Sequence, residues 1–288
     1  MSICKPIVLA VLSAAVLAAA PANAFDASKQ FDANEEPRNI LKYGYQALKR
    51  GAFDEAIGAF RFGASKNDVA SQWKLAHMLQ TGTGERQDHK AAYELYTKIA
   101  DRFAEKAPAG HNLAYVSSAV VMLGRYDLMG IDGFVAADPR RAEFRFYRAA
   151  ALYHDGEAQY QLGKLYRSGK IGAQRPRSAA RWFSLSARKR HPLAQAELGQ
   201  MLFAGEGVIA NPVRGLVMMA RAAEALPPGK DIWVHEAYAK ALDSATAAHR
   251  KEVEATIARI KQRSANRRSF ALERMPGPQA ASRAVSID

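Results

Sequence analysis

The chain has 288 residues, a formal net charge of +13 and 49% hydrophobic residues, enough for a sizeable buried core. Its only cysteine, Cys4, lies near the amino terminus. The rest of the chain therefore excludes disulfides, thiolate nucleophiles, iron–sulfur centres and cysteine-ligated zinc.

Residues 1–24 have the pattern of a cleaved secretory signal peptide. Lys5 provides a positive start, an apolar run extends from Ile7 to Ala20, and Ala22-Asn23-Ala24 has small residues at a cleavage signature. An N-terminal membrane anchor is the alternative, but the run is shorter than the roughly 20 residues that span a bilayer. We expect cleavage after Ala24 and export to the periplasm.

The basic charge has a different meaning in an exported chain than in a cytosolic one. Removal of Lys5 with the signal peptide leaves a charge of +12. Export excludes nucleic acid as the partner, so the charge favours an acidic protein, an anionic membrane surface or an acidic polymer.

A sequence repeat occupies residues 37–226, after a segment at 25–36 that has few large apolar residues and is predicted to be flexible. Gly163 recurs as Gly199 and Gly169 recurs as Gly205, each at an offset of 36 residues. A fixed period of this length is typical of stacked helical repeats. Two earlier, degenerate copies begin near residues 71 and 119, and a shorter helical pair precedes them.

Each repeat is predicted to form two helices. The mid-helix glycine, Gly163 or Gly199, costs ~1 kcal/mol relative to alanine, which is tolerable where a neighbouring helix must approach closely. Gly205 is predicted to end the first helix, and Asn211-Pro212 to start the second. A phosphate-binding loop at Gly205 is the alternative, but no strand precedes it and the loop recurs with the repeat.

These patterns resemble the Sel1-like repeat, a relative of the tetratricopeptide repeat. The resemblance implies an all-α fold, a right-handed α-solenoid of helix-turn-helix repeats. The residues that carry it are Ala158, Leu162, Gly163, Tyr166, Gly169, Ala179, Trp182, Phe183 and Ala187 in one copy, and Ala194, Leu198, Gly199, Gly205, Gly207 and Val208 in the next.

An exported, basic chain of this length with such repeats resembles the ExoR-type periplasmic regulators of exopolysaccharide synthesis. That resemblance implies binding to the periplasmic domain of a membrane sensor histidine kinase. It also implies repression of a two-component pathway that governs exopolysaccharide production, motility and host adaptation. The alternative is a cell-envelope adaptor or assembly scaffold with another protein partner.

The sequence favours a protein that is not an enzyme and has no cofactor or metal. It contains no H-E-x-x-H or G-x-S-x-G motif, and no two of its seven histidines are four residues apart. A polysaccharide- or peptidoglycan-acting protein is the least favoured alternative. Acid sensing through His77 is a hypothesis, and the alternative is that His77 is an ordinary surface histidine with no role in sensing.

The first helices of such repeats line a concave groove, which is where a protein partner is expected to bind. For Trp73 and Phe203, filling the core between repeats is an equally favoured alternative. The predicted groove residues are Trp73, His77, Gln80, Arg125, Tyr160, Lys164, Arg167, Gln200 and Phe203.

A basic stripe on the second helices is another candidate surface. It would dock an acidic sensor domain or associate peripherally with an anionic membrane surface, although such stripes are commonly only solvated helix faces. Its residues are Arg141, Arg145, Arg148, Arg177, Arg181 and Arg188.

The carboxyl-terminal part is predicted to close the solenoid. Apolar residues at Val253, Ile257 and Ile260 share one side of a helix, so 227–263 is expected to form capping helices over the last repeat. Residues 264–288 lack periodicity and are predicted to form a disordered basic tail.

Overall fold

The computed structural model describes residue 26 and residues 30–108, 110–227 and 229–273. Within these ranges the chain forms twelve α-helices and no strand, which confirms the predicted all-α class; an isolated bridge joins Ile131 and Val135. The helices are α1 Pro37–Arg50, α2 Phe53–Ser65, α3 Val69–Thr81, α4 His89–Arg102, α5 Asn112–Met129, α6 Pro139–Leu152, α7 Gly156–Ser168, α8 Pro176–Arg188, α9 Pro192–Ala204, α10 Pro212–Ala225, α11 Ile232–Ser244 and α12 Ala247–Glu273.

The chain divides between Asp88 and His89 into two compact units, a boundary that falls inside the predicted solenoid segment. The first unit contains α1 to α3. Its core includes Phe31, which is 6% exposed and packs its ring against those of Tyr43 and Phe62. Within the described part of the segment predicted to be flexible, 25–36, the Phe31 side chain is therefore anchored in an apolar core.

The second unit contains α4 to α12. From α4 to α11 each helix packs against the next one in sequence, and α12 packs against α10. The pairs α5–α6, α7–α8 and α9–α10 are helical hairpins stacked side by side, the arrangement of an α-solenoid. Each second helix contributes a fully buried side chain to the core: Phe146 from α6, Phe183 from α8 and Met219 from α10.

Close packing within the hairpins depends on glycine in the middle of the first helix. A Cβ atom on Gly199 would lie 2.7 Å from Met219 Cγ and 2.8 Å from the carbonyl oxygen of Gly215, and one on Gly163 would overlap the Phe183 ring. The predicted reason for these glycines, close approach of the neighbouring helix, is confirmed.

The turn between α9 and α10 follows the predicted pattern. Gly205 has φ of 73° and ends α9 in the left-handed region, which glycine adopts without strain. Asn211 caps α10, its side-chain oxygen accepting a hydrogen bond of 3.0 Å from the backbone N–H of Arg214. This loop is part of the repeat architecture.

The last two helices cover the end of the repeats, where Val253 of α12 is buried in a cluster with Leu216 and Met219 of α10. The helix α12 continues to Glu273, ten residues past the predicted end at 263. No glycine or proline occurs between Ser264 and Glu273, so nothing in the sequence breaks the helix there.

Parts of the predictions fall outside the described residues: the signal peptide at 1–24, residues 25 and 27–29 of the segment predicted to be flexible, and the last fifteen residues of the tail at 274–288. Among the described helices, none has both the length and the apolar character that crossing a membrane requires.

Candidate functional site

Ionic side chains connect the first helices of successive hairpins in the second unit. We call this set the A-helix ladder and define it as Arg125 of α5, Glu157 and Arg167 of α7, His191 and Glu197 at the start and middle of α9, and Glu206 after α9.

Glu157 is the centre of the first rung. Its Oε1 atom accepts hydrogen bonds from Arg125 Nη2 at 2.5 Å and Gln161 Nε2 at 2.6 Å, and Oε2 lies 2.8 Å from His191 Nε2. Burial alone would raise the pKa of Glu157, but hydrogen bonds from His191, Gln161 and Arg125 together lower it to about 2. The carboxylate is therefore ionised throughout the neutral range and fixed between α5 and α9.

His191 also caps α9. Its Nδ1 atom accepts from the backbone N–H of Ala194 at 3.3 Å while Nε2 faces the Glu157 carboxylate. Both contacts are satisfied by the neutral tautomer with its proton on Nε2, an assignment made from the hydrogen-bond pattern. Asp68 caps α3 and Asp155 caps α7 in the same way, each accepting a backbone hydrogen bond three residues on. His191 thus performs a capping role that aspartate performs elsewhere and adds a contact between repeats.

Arg167 forms the second rung and joins three elements. Its Nε and Nη2 atoms donate to both carboxylate oxygens of Glu206 at 3.0 and 2.6 Å, and Nη1 pairs with Glu197 and donates to Gln200 Oε1 at 3.2 Å. A bidentate arginine–carboxylate pair is among the strongest polar contacts in proteins. Arg167 and Gln200, both predicted groove residues, are brought together here.

Tyr160 and Lys164 differ in exposure although both were predicted to line the groove. Tyr160 is 5% exposed, and its ring stacks on that of His191 with centroids 4.8 Å apart. Burial, with Glu197 and Glu157 nearby, raises the pKa of the Tyr160 phenol, so it stays protonated. Lys164 is exposed, with its ammonium 5.6 Å from the centre of the Tyr160 ring. Lys164 is the accessible cation beside the ladder.

Three predicted groove residues belong to α3 in the first unit. The rings of Trp73 and His77 stack with centroids 5.2 Å apart, and Lys74 lies 5.4 Å from the Trp73 ring. Partial burial, and secondarily Lys74, lowers the pKa of His77. Gln80 is half-buried, and its carbonyl oxygen accepts from Gln87 Nε2. Trp73 and His77 are thus one aromatic pair.

The structure corrects the predicted position of Phe203 in the groove. Phe203 is partly buried and packs against the core cluster that contains Leu216, Val217 and Met219. The alternative interpretation, that it fills the core between repeats, is the one that the structure favours. The reason is the glycine at Gly215, whose missing side chain leaves room for the Phe203 backbone to approach α10.

The first half of the predicted basic stripe is also corrected, because its partly buried arginines already bind other groups of the protein. Arg141 Nε and Arg145 Nε donate to the two oxygens of Asp127 at 2.5 and 2.6 Å, and Asp127 is fully buried. Arg148 donates to the carbonyl oxygens of Phe103 and Ala104. Arg141 and Arg145 join α6 to α5, and Arg148 joins α6 to the segment after α4, so these cations do not form a free docking surface.

The second half of the stripe remains at the surface. Arg177, Arg181 and Arg188 are exposed along α8, and within the described residues none of them forms an ion pair. Their spacing of four and seven residues places them on one face of the helix, as predicted.

The acidic half of the ladder was missed by the sequence reasoning. Glu157 lies 32 residues after Arg125, and Glu197 lies 30 residues after Arg167. Both separations are close to one repeat length, so an arginine late in one first helix followed by a glutamate early in the next was the available signal. The residues that precede His191 in the sequence are cationic, whereas its ionic contact in the fold is Glu157.

The chemistry of the ladder suits binding. In the described ranges no group of three or more histidine, aspartate or glutamate side chains could hold a metal ion. Glu157 is held ionised, and the phenol of Tyr160 is held protonated. Neither group is poised to exchange a proton near neutral pH, as a general acid or base must be.

Comparison with known proteins defines the class. The Sel1 repeat family matches residues 69–102, 117–154, 156–191 and 192–225, and these ranges include both rungs of the ladder. A crystal structure of a Sel1 repeat protein from Oxalobacter formigenes aligns with a TM-score of 0.59 and 20% identity, covering 78% of this chain and 88% of that one. The protein is a Sel1-repeat α-solenoid.

Two curated relatives are similar to this chain over most of its length. The exopolysaccharide production negative regulator of Rhizobium leguminosarum bv. viciae is 30% identical over 241 residues, covering 83% of this chain and 88% of the relative. The protein of the same name from Rhizobium meliloti (strain 1021) is 31% identical over 236 residues, covering 82% and 86%. The chain belongs to the family of these ExoR-type regulators.

Proposed function

We propose that this protein is exported to the periplasm and represses a two-component pathway there by binding the periplasmic domain of a membrane sensor histidine kinase. Its output would be lower exopolysaccharide production, with effects on motility and host adaptation. The observation that carries the proposal is the 30–31% identity, over more than four fifths of each chain, to two negative regulators of exopolysaccharide production.

The A-helix ladder supports a binding role. Its charged groups are already held in place by one another, so a partner that contacts this face does not have to order them. Lys164 remains exposed beside the buried Tyr160 ring and is available to an acidic group on the partner. Repression then follows if the protein binds the inactive state of the kinase more tightly than the active state.

The proposed location is supported by the first 24 residues, which have the three parts of a secretory signal. Determination of the amino-terminal sequence of the protein isolated from cells tests this point. Export predicts that the isolated protein begins at Phe25, and a chain that retains Lys5 would contradict it.

The partner is tested by co-purification of the tagged protein from the periplasm after brief cross-linking. We expect to recover a sensor histidine kinase, and to recover much less with Lys164→Glu. Lys98→Glu, a charge reversal at an exposed lysine of the second helix α4, is the matched control and should leave recovery unchanged. Recovery of an envelope-assembly complex without a histidine kinase would contradict the proposal and favour a scaffold.

A further inference from the structure

A second surface, separate from the A-helix ladder, is a cleft of about 430 Å³. Its walls are α8, α10 and α12, and its floor is α9. Cavities that bind ligands fall between roughly 300 and 1,000 Å³, so this cleft is large enough to hold part of a ligand.

Three arginines lie on the walls of the cleft: Arg188 of α8, and Arg214 and Arg221 of α10. All three are exposed, and none forms an ion pair with another residue in the described part of the chain. Arg214 and Arg221 are seven residues apart, about 10 Å along one face of the helix. Glu252 of α12 is the one acidic residue among the lining residues, so the cleft has an excess of positive charge.

Part of the cleft lining is apolar. Leu198 of α9 and Val217 of α10 are 5% and 8% exposed, and Met218 of α10 is half-buried. A free phosphate or other small anion would leave this apolar surface uncovered. A ligand that fits the whole cleft must therefore carry both negative charge and an apolar group.

We propose that this cleft binds an acidic peptide segment of a protein partner, with aspartate or glutamate side chains facing the three arginines and an apolar side chain on Leu198 and Met218. Arginine matches this role because its planar fork donates two parallel hydrogen bonds to a carboxylate. The inference rests on the proposed function only in that the protein acts by binding another protein; it holds whichever protein carries the segment.

Two substitutions separate the cleft from the rest of the surface. Ser184→Trp fills the cleft from α8 without changing its charge, and Arg188→Gln removes one of its cations. Arg177→Gln is the matched control, because Arg177 is an exposed arginine of the same helix that does not line the cleft.

The test begins with a displayed library of short random peptides, selected on the purified protein and counter-selected on the Ser184→Trp variant. We expect the selected peptides to be enriched in aspartate and glutamate next to leucine, isoleucine or phenylalanine. A fluorescein-labelled selected peptide is then titrated by fluorescence anisotropy. Arg188→Gln should weaken binding about tenfold, Arg177→Gln should not, and binding should weaken as salt is raised.

Several results would overturn the inference. One is a library that yields no enrichment, or that yields basic or uncharged peptides. Another is an Arg177→Gln variant that weakens peptide binding as much as Arg188→Gln does. A third is complete displacement of the peptide by phosphatidylglycerol vesicles, which would mark a lipid-binding surface. Concentration-dependent self-association that the Ser184→Trp variant abolishes would instead assign the cleft to a second copy of the chain. The kinase is absent from this assay. A negative peptide result therefore does not contradict the proposed kinase binding, and failure to recover a kinase does not contradict peptide binding in the cleft.

Discussion

Glu157→Gln removes the negative charge on which the first rung of the A-helix ladder depends. The pKa of this carboxyl falls from 4.5 to about 2 on folding, and one pKa unit is worth about 1.4 kcal/mol. Ionised Glu157 therefore contributes about 3 kcal/mol of stability at pH 7. Because its side chain is only 30% exposed, solvent screening reduces this contribution only in part. Since the glutamine retains one acceptor oxygen, we expect a loss of about 2 kcal/mol.

The stability contributed by the Glu157 carboxylate depends on pH. A depressed carboxyl pKa stabilises the fold fully above pH 4.5, and the contribution is lost as the pH falls toward 2. Urea unfolding of wild type and variant, followed by circular dichroism at pH 7, 5 and 3, should give a gap that is unchanged between pH 7 and 5 and about half as large at pH 3. A gap that is absent at pH 7, or that does not narrow at pH 3, would refute the reasoning.

The control for this measurement is Glu94→Gln, which neutralises an exposed carboxylate of α4. Surface substitutions of this kind change stability by less than about 0.5 kcal/mol. If the control loses as much stability as Glu157→Gln, the effect reflects net charge and not the contacts to Arg125, Gln161 and His191.

Three further predictions concern other parts of the molecule. Asp127→Asn should lower the free energy of unfolding by about 3 kcal/mol, because it weakens two charge-assisted hydrogen bonds at a buried site; an unchanged urea midpoint would contradict this. Gly163→Ala should cost about 1–3 kcal/mol through overlap with Phe183, whereas Gly156→Ala, whose nearest neighbour is a flexible lysine, should be tolerated; equal effects in thermal unfolding would argue against close packing. The NMR titration midpoint of His77 should lie below 6.5, so stability falls as the pH drops through 6.5 toward that midpoint; a midpoint above 6.5 would contradict the partial burial of the ring.

Local features of the sequence were sufficient to predict the hairpins. Gly205 and Asn211 act on backbone groups three or four residues away, and Gly199 recurs 36 residues after Gly163 at the same place in its hairpin. Turn chemistry and helix caps of this kind depend on neighbours along the chain, which a sequence displays directly. The all-α class and the first-to-second helix packing followed from them.

Side-chain contacts between different helices were beyond the same reasoning. The spacing of Arg141 and Arg145 correctly indicated a shared helix face, but not that the buried Asp127 of the preceding helix lies against that face. The pairing of Arg167 with Glu206 depends on how far one repeat is rotated on the next, and a local pattern does not contain that rotation. Helix periodicity identifies which residues lie together on one helix, whereas the partner on another helix is set by three-dimensional packing.

The ladder has a consequence for how the second unit behaves as a whole. In a solenoid, stability is approximately the sum of the repeats and of the interfaces between neighbours. Glu157 and Arg167 both lie on α7, and their partners reach α5 on one side and α9 on the other. Side chains on one helix therefore stabilise two successive interfaces, and a partner that binds along this face contacts a surface whose spacing is already fixed.

The proposed binding of a sensor histidine kinase is tested most directly by isothermal titration. The purified protein is titrated into the isolated periplasmic domain of the kinase that co-purifies with it. We expect saturable binding that Lys164→Glu weakens by about tenfold or more and that Lys98→Glu leaves unchanged. Absence of heat and of complex formation at concentrations up to about 1 mM, the weakest range for a specific contact, would contradict it.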